Sequence, residues 1–482
     1  MKNRKHLSAD GLFRHMRQGM AKIDDHRPKN ISITLADALM SGLAMFALKD
    51  PSLLAFDGRR KTSGNLRKVF GIADIPSDTQ MRSILDGVDP EALRPLYKQV
   101  FRQLQRGKVL EEMTFMNKYY LASVDGTGYF SSKEIHCESC LEKRHRDGTV
   151  TYSHQMLGAA IVHPEHKAVI PLTPEPIIKQ DGAKKNDCER NASECLLAKL
   201  RQDHPRLPLI IVEDALAANA PHIRELQRHD LRYIIGVKQG DHGFLFDHVD
   251  QAQKEGATRE FEIEEEGVTH RFRFLNDAPL NESNQEVRVN FLEYWEIKPG
   301  KKTRHFSWVT DFTVQKSNAY TLMRGGRARW KIENETFNTL KNQGYHFEHN
   351  FGHGQQNVSV VFAMLMMLAF AIDQAQQLAC SLFQAAWQKV GSKRLLWERM
   401  RSLFHELPME SMSDIWRAIA FGFRVERVVI YDSSWSAYSA RNPYLAQGDV
   451  SRAISSCPAV EFRLSRNLSN AKMPQILSII SL

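Results

Sequence analysis

An α/β domain set between two helical regions is the fold class that this 482-residue sequence predicts. Apolar residues first recur at helical spacing, up to about residue 115. After Asn117 short apolar segments with strand character take over and then alternate with helical stretches. From about residue 355 the helical pattern returns. A hydrophobic content of 42% and a charged content of 25% are those of an ordinary soluble globular chain, long enough for two or three domains.

Residues 1–115 read as a helical region. Ala36–Leu48 is an apolar-rich helix ended by Lys49-Asp50-Pro51, and Asn65–Phe70 is a short helix stopped at Gly71. Ser77 and Gln80 hold capping-box positions for the next helix. Glu91–Leu110 is amphipathic and carries Arg94, Lys98, Arg102, Arg106 and Lys108. Two short helices with a tight turn are compatible with a helix-turn-helix reading through Thr79, Gln80 and Arg82; a plain helical bundle is the alternative. Residues 1–120 hold 21 Lys and Arg against 13 Asp and Glu, so eight of the chain's nine net positive charges fall there. A basic region of this kind suits a polyanionic partner, double-stranded DNA before a membrane.

Residues 116–354 read as the α/β domain. Tyr119–Val124 is a strand broken by Asp125-Gly126-Thr127-Gly128, and His154–His163 and Lys167–Leu172 are two more. A helix over Asn186–Arg201, a strand over Leu207–Val212, a helix over Pro221–Arg228 and a strand over Arg232–Val237 follow. Three strands, helix, strand, helix, strand is the order of a ribonuclease-H-like α/β domain. The alternating patterns REFEIEEE, THRFRFL, VRVNFLEYWEI and RHFSWVTDF then form a small β-rich insertion over about 241–315. Residues 355–430 are a C-terminal helical region and 431–482 a poorly ordered tail. The longest apolar run, Val358 to Ile372, is 15 residues, too short for a membrane span and better read as a buried helix. With no secretory signal, the expected location is the cytoplasm, on the nucleoid.

The helix expected over Arg327–Asn342 places Trp330, Phe337 and Leu340 on one apolar stripe, with Glu333 on that stripe and Glu335 facing away. An inward carboxylate needs a cation, either Arg329 one turn earlier or a metal. Asp125 and Asp214 each sit just past an apolar strand, at the sheet edge where open α/β sheets build sites. Singly, each reads equally as an Asx turn or a helix cap. Together with Glu333 they supply oxygen ligands suited to two Mg²⁺ or Mn²⁺ ions and to in-line phosphoryl transfer. Lys238, ending the Arg232–Val237 strand, is a candidate phosphate contact.

The segment RARWKIENETFNTLKN, with SVDGT and IIGVK before it, resembles bacterial insertion-sequence DDE transposases, the cut-and-paste group with a Tyr-Arg-Glu-Lys signature. The resemblance spans about residues 60–375. It implies a ribonuclease-H-like catalytic domain in which Asp125, Asp214 and Glu333 hold metals while Arg329 and Lys341 hold phosphates. It further implies cleavage of element ends, strand transfer to target DNA, and a homodimer on DNA. Two positions depart from the signature: Gly326 stands where the Tyr belongs, and Lys341 is one residue too far from Glu333. The rival reading is a catalytically inactive DNA-binding relic or inhibitor of related elements, against which the three intact acids argue.

Six cysteines in a chain this long make no disulfide scaffold. Cys137 and Cys140 have zinc-compatible spacing, with His136, His145, His154 and Cys188 in the same region. No second ligand pair matches them in the sequence, so reduced thiols are the default reading. His346, His349 and His353 either line a DNA path or turn the chain.

Overall fold

The structure is a computed structural model describing residues 7–28, 31–60, 64–178 and 189–422. The expected tail and Cys188 lie outside the described residues. Residues Met1–Ala420 form one compact unit; the second unit, Phe421–Leu482, lies almost wholly outside them.

A mixed sheet of eleven strands among the described residues carries the domain. In chain order they are β1 (Tyr120–Ser132), β2 (Leu141–Arg144), β3 (Val150–Val162), β4 (Ile170–Pro171), β5 (Glu175–Ile177), β6 (Leu209–Glu213), β7 (Arg232–Gly236), β8 (Arg259–Glu265), β9 (Val268–Pro279), β10 (Arg288–Ile297) and β11 (Arg304–Thr310). Their order is β2-β3-β1-β6-β7-β11-β10-β9-β8, with β4 and β5 also paired to β3. β1, β6 and β7 run parallel, joined by helical crossovers, and β3 is antiparallel to β1. All five residues of β6, LIIVE, are buried, as a central parallel strand requires.

Two expectations are corrected here. β1 does not break at Asp125-Gly126-Thr127-Gly128. It runs on because β3 keeps pairing with it, opposite Asp125 at Gly158, and a register shift between Gly128 and Phe130 absorbs the irregularity. Nor does the β-rich stretch stand apart from the sheet. β11 pairs with β7, so β8–β11 prolong the same sheet as a meander.

Fifteen α-helices are described: α1 (Ala9–Met20), α2 (Leu35–Ala47), α3 (Leu53–Arg60), α4 (Gly64–Phe70), α5 (Asp78–Asp86), α6 (Arg94–Arg106), α7 (Glu189–Asp203), α8 (Ala220–Arg228), α9 (Gly243–Lys254), α10 (Ala319–Arg327), α11 (Asn338–Asn342), α12 (Val358–Ala379), α13 (Ser381–Val390), α14 (Lys393–Glu406) and α15 (Met412–Phe421). The capping box at α5 forms as its spacing predicts, with Ser77 and Gln80 each bonded to the other's backbone. α12 is long and apolar enough to cross a membrane, yet its apolar span is wholly buried as a core helix. It packs against α2, α5 and α6, so the helices before and after the sheet share one core.

Two polar devices hold that core. At the end of α2 the fully buried Lys49 donates to Asp373 of α12 at 2.5 Å, and Tyr345 donates to the same carboxylate at 2.6 Å. Asp86, ending α5, accepts the N–H groups of Gln355, Gln356, Asn357 and Val358 at 2.7–3.1 Å and so caps α12. Asp86→Ala leaves those donors without their acceptor and should cost about 2 kcal/mol, read as a lower urea midpoint at unchanged slope.

Candidate active site

The parallel pairing of β1 with β6 ends at Ser123 opposite Val212. Two residues further on each strand come Asp125 and Asp214, so these acids lie on neighbouring strands where β6 stops and a crevice opens. Both line one cavity of about 170 Å³, together with Glu189, Glu213, Asn219 and His222. Both also make the local bonds weighed for them in the sequence. The Asp125 carboxylate accepts the Gly126 N–H at 2.9 Å, and the exposed Asp214 accepts the Leu216 N–H at 2.9 Å, capping the short turn Ala215–Ala217.

Glu333 arrives on a distorted helix. The chain is helical from α10, tightens at Ala328–Arg329, and widens into a π turn over Ile332–Phe337 before α11. Residues five apart diverge by about 140° on an α-helix, whereas the i→i+5 bond of a π turn makes them neighbours. The turn thereby brings both Ile332 and Phe337 onto Gly158 of β3, where a Cβ would lie 2.8 Å from the Phe337 ring. The same shift overturns part of the predicted stripe. Phe337 and Leu340 are buried, but Trp330 is 48% exposed and its place is taken by Ile332. Glu335 is half-buried rather than fully on the solvent side.

Arg329 ties the third acid to the first. Its Nη1 donates to Asp125 Oδ2 at 3.2 Å and to Glu333 Oε1 at 3.1 Å, with the guanidinium buried over the Trp330 ring. The Asp125 and Glu333 carboxyls are themselves within hydrogen-bonding reach. Burial first, then that shared bond, push the Asp125 carboxyl up to about 7, with Arg329 pulling the other way.

Two further acids escaped the sequence reading. Glu189 opens α7 with its carboxylate in the space a side chain at Gly126 would fill. Burial, then the Asp214 charge, raise it above the ordinary range. Glu213 is buried beside Asp214 and paired with His222 Nε2 at 2.6 Å. Burial opposes protonation of that imidazole, but the Glu213 carboxylate wins and holds it above its ordinary value. The signal for Glu213 was present, since an acid ends an otherwise apolar strand. For Glu189 there was none, because its approach depends on Gly126 lacking a side chain.

The donors fit a hard divalent cation. They are all carboxylate oxygens, and burial first, then the neighbouring Glu333, raise the Asp125 carboxyl. Arg329 brings Asp125 and Glu333 together, but among the described residues no three of these acids bring ligand atoms within 4.8 Å of one another.

The remaining predicted residues are less engaged. Lys341 pairs with Glu348 at 2.9 Å, and Lys238 is exposed two residues beyond β7. Gly326 sits against Trp308, whose Nε1 lies 2.4 Å from where a Cβ would be, so no Tyr fits there without displacing the indole.

No curated protein matches the chain. A solved piggyBac transposase synaptic complex with hairpin DNA is 12% identical with a TM-score of 0.36, over 95% of this chain and 84% of that one. A family profile described as "Transposase DDE domain" matches residues 142–371, a stretch that begins after Asp125 and contains Asp214, Arg329 and Glu333. Residues 142–371 are thus similar to the DDE domain of transposases.

Proposed function

We propose that the protein is a metal-dependent DNA transposase that cuts the ends of an insertion sequence and joins them to target DNA. One observation carries the reading: Asp125 and Asp214 just past the end of the parallel pairing of β1 with β6, with Glu333 tied to Asp125 through Arg329 from a later helix. The strand order β3-β1-β6-β7, with a short strand outside β3, supports a ribonuclease-H-like core. Bound Mg²⁺ or Mn²⁺ supplies Lewis-acid stabilisation of charge at the scissile phosphate. Asp125, Asp214 and Glu333 hold the cations. Arg329, bonded to Asp125 and Glu333, would be free to pair with a phosphate if a cation took over those carboxylates.

Lys341 fits this scheme through the π turn. Eight residues overshoot two α-turns by about 80°. A π turn between Glu333 and Lys341 takes up about one extra residue, which would turn Lys341 toward the face of Glu333. Lys238, exposed beyond the neighbouring strand β7, would contact a DNA strand. The N-terminal region grips the element end, with Lys22, Arg102 and Arg106 lining a groove of about 680 Å³. Action on two ends favours a dimer on DNA.

Supercoiled DNA bearing the element's own ends should be nicked in Mg²⁺ or Mn²⁺ and left intact with a chelator. Binding should weaken steeply with salt as counterions are released. A full-length protein that binds these ends yet never cleaves them would be a DNA-binding relic, and the proposal would fail.

A further inference from the structure

We infer that the chain holds a structural zinc ion, bound by Cys137, Cys140, His154 and His353, on the far part of β3 from the acids. The four ligand atoms lie within 4.8 Å of one another, and Cys137, Cys140 and His154 are buried. Cys137 Sγ and Cys140 Sγ are 3.7 Å apart; His154 Nε2 is 3.3 Å from each. His353 Nε2 is 3.7 Å from Cys140 Sγ and 3.1 Å from His154 Nε2.

Five of the six separations lie close to those of a loaded site. Tetrahedral zinc, with bonds of about 2.3 Å to sulfur and about 2.0 Å to nitrogen, sets edges of about 3.8 Å between sulfurs, about 3.5 Å between sulfur and nitrogen, and about 3.3 Å between nitrogens. Hydrogen bonding pairs atoms two at a time and gives no reason for four ligand atoms to gather within 4.8 Å of one another. The sulfurs are also too far apart for a disulfide, which needs about 2.05 Å. Charge fits as well. Two thiols bind as thiolates and release their protons, both imidazoles stay neutral, and zinc's two positive charges are cancelled inside the protein. Coordination through Nε2 leaves Nδ1 as the protonated nitrogen, and His353 Nδ1 lies 3.3 Å from Asn350 Oδ1.

Placement explains what the ion does. Cys137 and Cys140 sit in the turn between β1 and β2, His154 is on β3, and His353 lies where the chain leaves the Glu333 helix for α12. The Glu138 N–H donates to the Gln355 carbonyl at 2.9 Å across the same junction. The aromatic ring of Phe130 lies 4.1 Å from that of His353 and covers it. Zinc therefore clamps the exit of the Glu333 helix to β3, the strand on which Phe337 seats.

The test is metal content and spectrum of the full chain, purified without chelator or histidine tag. We expect about one zinc per chain, retained in Glu333→Gln and lost in Cys140→Ser and His353→Ala. Cobalt added to the zinc-free reduced protein should give tetrahedral visible bands with a thiolate charge-transfer band. Zinc-free wild type as purified, or a cobalt spectrum without the thiolate band, overturns the assignment. The wild-type spectrum decides even where the ligand variants fail to fold.

Discussion

Replacing Glu333 by Gln should lower DNA cleavage about a thousandfold while fold and DNA binding persist. The substitution keeps the shape of the side chain and removes one charge from the group that shares Arg329 with Asp125. If Glu333 served only as a partner for Arg329, stability would fall and the remaining folded protein would cleave normally. That loss would be small, because the Glu333 side chain is 38% exposed and pairs of that exposure contribute about 1 kcal/mol or less. Removing its charge also relieves repulsion on Asp125, so the metal-free variant should melt no lower than wild type. Glu335→Gln is the control: its carboxylate faces Lys331 and Lys393 instead of the acids. Equal cleavage by the two variants, corrected for folded fraction, would take Glu333 out of the active site.

Asp125→Asn should abolish cleavage to a similar degree and also flatten the pH dependence of stability. In the folded chain this carboxyl titrates at about 7, against 3.8 for the unperturbed group. Its contribution is fully present below the unfolded value, where both states are protonated. As pH rises the unfolded chain ionises first, so stability declines until the folded group has also lost its proton, near neutrality. Metal-free wild type should therefore lose melting temperature between about pH 4 and pH 7 at this position. Mg²⁺ binds the ionised carboxylate, so its stabilising effect should grow over the same range and level off above it. Calorimetry across pH, with and without Mg²⁺, reads both effects. A wild-type curve matching that of Asp125→Asn would show that Asp125 is not the group that titrates.

Much of this molecule is written locally along the chain. The strands at the apolar segments, the four alternating patterns that became β8–β11, the Ser77–Gln80 capping box and the burial of Val358–Ile372 all depend on short-range spacing. Period and capping are properties of a few consecutive residues, so they can be read before any fold is known. Asp125 and Asp214 were legible for the same reason: each breaks or follows an apolar run.

Tertiary packing decided the rest. Whether β1 stops at Asp125 depends on β3 continuing beside it. The helix phase at Trp330 failed because the π turn answers to Phe337 and Ile332 seating on Gly158, far away in sequence. Glu189 reaches the acids only through the gap at Gly126. The partners of Cys137 and Cys140 proved to be His154 and His353, and the latter is separated from them by most of the α/β domain. Spacing along the chain records who is near in sequence. Ligand sets and helix phase are set by which surfaces meet when the sheet forms, and only the folded chain brings those surfaces together.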